Sequence, residues 1–99
     1  MCRAEVGRIA ARLHLSKGRT SDAIAAAEIS RSIAHRCGSA LVAAECAALS
    51  AIGLGREGRT EEASRRRREA TRGFGNMDAK WLRERWVHAW DEACVPEHH

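Results

Sequence analysis

Ninety-nine residues with a net charge of +4 make one small domain, near the size at which burial only just offsets chain entropy. Alanine supplies 19 of the 44 apolar residues, Phe and Trp together four and Tyr none, so strands are disfavoured and an all-α fold is expected. The stretch from Cys37 to Gly55 carries one charge, Glu45, but is too rich in Ala, Gly and Ser for a membrane span.

In chain order, spacing predicts a first helix from Arg3 to Ser16, with Val6, Ile9, Ala10 and Leu13 as its apolar stripe. Gly18 is placed to end it in a left-handed turn, and Thr20 to cap the second helix, with Asp22 in the first turn. Ile24, Ala27 and Ala34, flanked by Ile29 and Ile33, give that helix a broad apolar face. Gly38-Ser39 repeats the stop and cap. A third helix, Ala40 to Arg56, is apolar nearly all round (Leu41, Ala44, Ala48, Leu49, Ile52, Leu54), so it is expected to be covered on several sides. Within it, Gly53 and Gly55 are expected to mark close packing or fraying.

Gly58 and Thr60 stop and cap again, ahead of a fourth helix from Glu61 to Gly73 with Ala63, Ala70 and Phe74 on one stripe. Gly75-Asn76 reads as a fourth stop. A closing helix, Met77 to Ala93, carries Trp81, Leu82, Trp86, Ala89 and Trp90 along one side. Pro96 follows its end, and residues 96–99 read as a flexible tail. The domain is thus expected over 1–95, as hairpins at about 3–38 and 39–75 and a closing helix at about 77–94.

One tripeptide organises the chain. Gly18-Arg19-Thr20 recurs as Gly58-Arg59-Thr60, forty residues on, and each copy lies between two helical stretches. A fixed period of this size is the mark of stacked supersecondary units. The two hairpins resemble tetratricopeptide repeats at Ala11, Gly18, Ala23 and Ser30 in the first copy and at Ala51, Gly58, Ala63 and Ala70 in the second. Ala27 and Arg67 stand where that family has a bulky aromatic, and the family's closing proline is missing.

The long period, with Phe74-Gly75 and Lys80-Trp81-Leu82 near the end, looks more like the divergent repeats of large bacterial ATPase-linked transcription regulators and signalling scaffolds. The resemblance implies a short right-handed solenoid of about five antiparallel helices acting as a protein-interaction or self-association module. It implies nothing catalytic and no cofactor.

In such a stack the concave side is lined by the first helix of each hairpin, which makes Arg8, Arg12, His14 and Glu45 candidate partner-binding residues. Trp81, Trp86 and Trp90 are the second candidate surface, because Trp anchors interfaces. Their spacing sets Trp86 off the stripe that Trp81 and Trp90 share, and a terminal cap over the core is the favoured reading of the three. Two repeats bury little, so self-association into a dimer, through the Trp helix or the third helix, is a further expectation.

Fifteen Arg against two Lys carry the positive charge. Arg65, Arg66, Arg67 and Arg68, with Arg72 a turn later, could contact phosphates of a nucleic acid. Four consecutive residues point around a helix, and Arg66 can reach Glu62, so a solvated charged face is favoured over nucleic-acid binding.

Cys2, Cys37, Cys46 and Cys94 form no close pair. With no signal peptide recognised, a soluble cytoplasmic protein with reduced thiols is expected. Cys94, His98 and His99, with His88, match no structural-zinc spacing, and no metal site is expected. His14 and His35 read as packing or surface histidines. Nothing frames a nucleophile or a carboxylate pair, so no enzyme is expected.

Overall fold

The computed structural model describes residues 4–76 together with Trp86 and Ala89. Four helices follow one another: α1 (Ala4–Ser16), α2 (Thr20–Cys37), α3 (Ala40–Arg56) and α4 (Thr60–Asn76). Trp86 and Ala89 are helical as well. The expected closing helix otherwise lies outside the described residues, as do both of its boundaries and the 96–99 tail.

All three turns are built alike. Gly18, Gly38 and Gly58 take φ of 75°, 74° and 77°, a left-handed conformation in which any Cβ would be strained. The next residue then turns its amide back onto the preceding helix. Arg19, Ser39 and Arg59 donate N–H to the carbonyls of His14, Ala34 and Leu54 at 2.8, 2.9 and 2.9 Å, satisfying groups that a helix end leaves open. The three glycines are evenly spaced, so one helix plus one turn is the structural unit and the forty-residue repeat is two of them.

The expected threonine caps are corrected. Ala23 and Ala63 already donate to the carbonyls of Arg19 and Arg59, at 3.0 and 2.9 Å, so Thr20 and Thr60 are first helical residues rather than caps. The Thr60 hydroxyl donates back to the Gly58 carbonyl at 3.2 Å. Arg59 grips Glu62 across the first turn of α4, with Nη2 to Oε2 at 2.7 Å. Ser39 does precede α3, but its side chain makes no capping bond.

Packing is centred on α3. α1 lies against α2 and α3, α2 against α3, and α3 against α4, giving an all-α, compact four-helix bundle. α2 and α4 do not touch through their backbones. As the all-round apolar sequence predicts, every residue of α3 from Val42 to Leu54 is buried. The core is mostly alanine: Ala11, Ala23, Ala27, Ala44, Ala47, Ala48, Ala51 and Ala70 join Leu15, Leu49, Ile52, Phe74 and Trp86 in one cluster.

Small side chains bury little area each but let helices approach closely. Gly53 marks such an approach rather than fraying: a Cβ there would lie 2.6 Å from Ile24 Cγ1. At Gly73 a Cβ would lie 2.8 Å from Ala44 Cβ, an atom that cannot rotate away. Gly73→Ala is therefore expected to cost about 1–2 kcal/mol, the crowding outweighing the better helix propensity of Ala. Gly75→Ala has open space around it and should stabilise by up to about 1 kcal/mol. Urea unfolding of the two variants checks the opposite signs.

Two further expectations are revised. α4 does not stop at Gly73, and Gly75-Asn76 is not a turn, because the helix runs on to Asn76 and Phe74 is fully buried in its last turn. On α1 the predicted core stripe faces outward: Val6, Ile9 and Leu13 are 63%, 61% and 52% exposed, while Ala11 and Leu15 make the core contact. Ile29 of α2 and Leu41 of α3, also predicted as apolar-face residues, are exposed too.

Candidate interaction site

Two features stand out: a charged cleft bridging α2 and α4 over α3, and the outward apolar face of α1.

The cleft, about 260 Å³, is lined by Ile24, Glu28, Ser50, Leu54 and Arg59, with Glu62, Arg65 and Arg66 on α4. Glu28 is its hub. Arg66 clamps it in a two-pronged contact, Nε to Oε2 at 2.7 Å and Nη2 to Oε1 at 2.8 Å. The Ser50 hydroxyl, fully buried on α3, donates to Glu28 Oε2 at 2.6 Å. Arg31 reaches Glu28 at 3.3 Å and, across the gap to α4, Glu69 at 3.2 Å. His35 Nε2 lies 3.3 Å from the same Glu69 carboxylate.

Burial alone would raise the Glu28 pKa. The hydrogen bonds from Arg66 and Ser50 and the charges of Arg66 and Arg31 outweigh it and pull the pKa from 4.5 to about 2. Glu28 is thus fixed as a carboxylate, a tie between helices and not a proton donor at neutral pH.

The arginine run divides accordingly. Arg66 was expected to pair with Glu62, but Glu62 is held by Arg59 and Arg66 faces α2 instead. Arg65 and Arg68 are exposed, as is Arg72, and Arg67 is half-buried. Sequence spacing did not reveal the Glu28–Arg66 bond, whose partners are 38 residues apart on helices that touch only through side chains.

Of the concave-face candidates, two are joined and two are not. Arg8 Nη1 and Glu45 Oε1 form an ion pair at 2.9 Å linking α1 to α3, with Glu45 only 8% exposed. Such a pair stitches α1 to α3, with the Arg8 side chain still 24% exposed. Arg12 is exposed, and His14 is half-buried on another side of α1. Trp86 is 7% exposed and belongs to the main core cluster, so its offset from the Trp81–Trp90 stripe does not take it out of the core. Trp81 and Trp90 lie outside the described residues. α3 is too fully buried to serve as a self-association face.

The Cys46 thiol is buried and pushed up to about 11, chiefly by burial, so it stays protonated and unreactive at neutral pH, while Cys37 is exposed. Among the described residues no three His, Cys, Asp or Glu side chains gather to hold a metal ion, and no helix is long and apolar enough to cross a membrane. His88, Cys94, His98 and His99 lie outside the described residues.

The outward face of α1 gains meaning from the forty-residue register. Glu5, Val6, Ile9 and Leu13 stand in register with Glu45, Cys46, Leu49 and Gly53. On α3 two of those positions meet the preceding hairpin directly, Glu45 taking Arg8 of α1 and Gly53 lying under Ile24 of α2, and Cys46 and Leu49 between them are buried. Trp86 and Ala89, in register with Cys46 and Leu49, turn inward onto the main cluster too. Within the described residues, the same face of α1 has no hairpin to lie on. Compared with known protein families, with curated protein sequences and with solved structures, the chain matches none.

Proposed function

We propose that this chain is a non-catalytic protein-interaction module of the tetratricopeptide-like kind, acting in the cytoplasm and binding helical partners on the outer face of α1. One observation carries the reading: Glu5, Val6, Ile9 and Leu13 repeat, in register, the positions with which α3 sits on the hairpin before it, yet Val6, Ile9 and Leu13 face solvent and Glu5 is only half-buried. Exposed apolar residues contiguous along a helix mark interaction sites more often than single ones do. The packing order, in which α1 and α2 both lie on α3 and α4 follows, supports the stacked-hairpin reading. So does the burial of Ala11, Ala23, Ser30, Ala51, Ala63 and Ala70, the small positions that carry the family resemblance.

Nucleic-acid binding draws less support. Arg66, in the middle of the basic run, is held by Glu28, and Arg59 beside it is held by Glu62 and Glu57.

The test is an extended chain in which residues 1–40 are repeated ahead of Met1. The added hairpin is expected to stack on α1 and raise the thermal midpoint by about 5 °C or more, since neighbouring repeats stabilise one another through their interfaces. Ile9→Asp should be nearly neutral in the 99-residue chain but cost about 2 kcal/mol at the corresponding α1 position of the extended one. An added hairpin that melts separately, or an unchanged midpoint, overturns the reading.

A further inference from the structure

The outer face of α1 is self-complementary, and we infer that its partner is a second copy of this chain, bound through an antiparallel α1–α1 contact about a two-fold axis at Ile9. The inference rests on the reading of α1 as an interaction surface and adds the partner, its direction and its polar contacts.

The apolar line is Val6, Ile9 and Leu13, spaced by three and four, the alternation by which two helices interdigitate along a narrow seam. All three are more than half exposed. On α2, Ile29 is exposed as well, at 63%. It neighbours Ser30, whose hydroxyl fills the space above Gly7, so it sits at the level of Val6.

Charge decides the direction. Glu5 and Arg12 are seven residues apart, so they lie within about 20° of each other on one edge of the stripe. Arg12 is exposed, Glu5 is half-buried, and neither makes an ion pair among the described residues. In a parallel two-fold pair the two copies of that edge fall on opposite sides of the seam, so Glu5 and Arg12 would find no partner across it.

An antiparallel two-fold keeps each edge on its own side and reverses the order along it. Glu5 then meets Arg12 of the partner subunit, and Arg12 meets the partner's Glu5. The same axis sets Val6 against Leu13 of the partner subunit and Ile9 against the partner's Ile9. One operation satisfies both the apolar line and the charged edge, as an isologous interface requires. A contact one helix wide falls well short of the roughly 800 Å² per partner of a stable interface, so the dimer is expected to be weak, with Kd above about 1 µM.

The experiment is sedimentation equilibrium of the 99-residue chain over a broad concentration series, with circular dichroism to confirm that each variant is folded. The mass is expected to climb from that of one 10.9 kDa chain towards twice that value. Ile9→Asp should hold the protein monomeric throughout. Glu5→Arg alone and Arg12→Glu alone should each raise Kd about tenfold, because each turns two attractive contacts into repulsive ones. The double variant, Glu5→Arg with Arg12→Glu, should restore the dimer.

A wild-type chain that stays monomeric overturns the inference, as does a dimer indifferent to Ile9→Asp or a double variant no better than the singles. Failure here is separable from failure of the module reading: an extended chain that stacks its added hairpin, beside a 99-residue chain that stays monomeric, removes the second copy as partner and leaves the surface intact.

Discussion

Glu28→Gln is expected to lower stability at neutral pH by about 2 kcal/mol and to remove most of this site's acid sensitivity. The carboxylate accepts from Arg66 and from the buried Ser50 hydroxyl and lies beside Arg31. A neutral amide of the same shape keeps the volume, loses the charge and leaves Arg66 facing a weaker acceptor. The sign of the pH dependence follows from the depressed pKa, about 2 in the folded chain against an ordinary 4.5.

As the pH falls below about 5, the unfolded chain takes up the proton first, so the stabilisation present above that pH drains away towards pH 2. At about 1.4 kcal/mol per unit the shift would be worth somewhat more than 3 kcal/mol, but the side chain is 31% exposed and solvent screens the pair, so about 2 is expected. Urea unfolding of the wild type and Glu28→Gln at pH 7 and again near pH 3 measures it. The gap between the two proteins should narrow by more than half on acidification. A gap that stays constant would mean the clamp contributes through packing and not through charge.

The parts of this fold legible in the sequence are those set by local chemistry. Gly18, Gly38 and Gly58 end helices because a left-handed residue is needed there, and the bounds of α3 follow from two such turns and an apolar run between them. The direction in which α1 faces is not local. Val6, Ile9 and Leu13 are the larger apolar side chains of α1, and periodicity finds the apolar side of a helix without saying whether the core lies there.

In this alanine-rich bundle the opposite rule holds, with Ala11 and Leu15 turned inward where α1 approaches α3. A signal was available: carried forty residues on, Val6 becomes Cys46 and Ile9 becomes Leu49, both buried, so equivalent positions of the two copies face different surroundings. The Glu28 clamp had no such signal. Its geometry depends on how far apart α2 and α4 stand across α3, which no spacing along the chain encodes. The nearer candidate, Glu62, is lost to Arg59, three residues before it, which leaves its i+4 neighbour Arg66 to face α2.

Phe74→Ala is expected to be the most damaging single truncation among the described residues, costing about 3–5 kcal/mol. Phe74 is the largest fully buried side chain, and it stands in the last turn of α4 in a cluster otherwise dominated by alanine. Alanines cannot grow or rotate to fill a void, and the cavity left by a lost ring persists where its lining is short and held by close-packed backbones. Domains of this size are stable by about 5–15 kcal/mol, so the loss takes a large share and leaves the variant partly unfolded at physiological temperature if the total is at the low end.

Phe74→Leu, which keeps most of the volume, should cost under about 1.5 kcal/mol. Trp86 belongs to the same cluster and, with Trp81 and Trp90 replaced by Phe in all three proteins, is the sole tryptophan and a local readout, because loosening its surroundings moves its emission to longer wavelength before the helices melt. Chemical denaturation of the three proteins, followed by far-ultraviolet circular dichroism and by fluorescence, separates the outcomes. A Phe74→Ala loss below about 1 kcal/mol would show that α4 closes over the gap, and that the alanine contacts between α3 and α4, not the ring, hold this end of the bundle together.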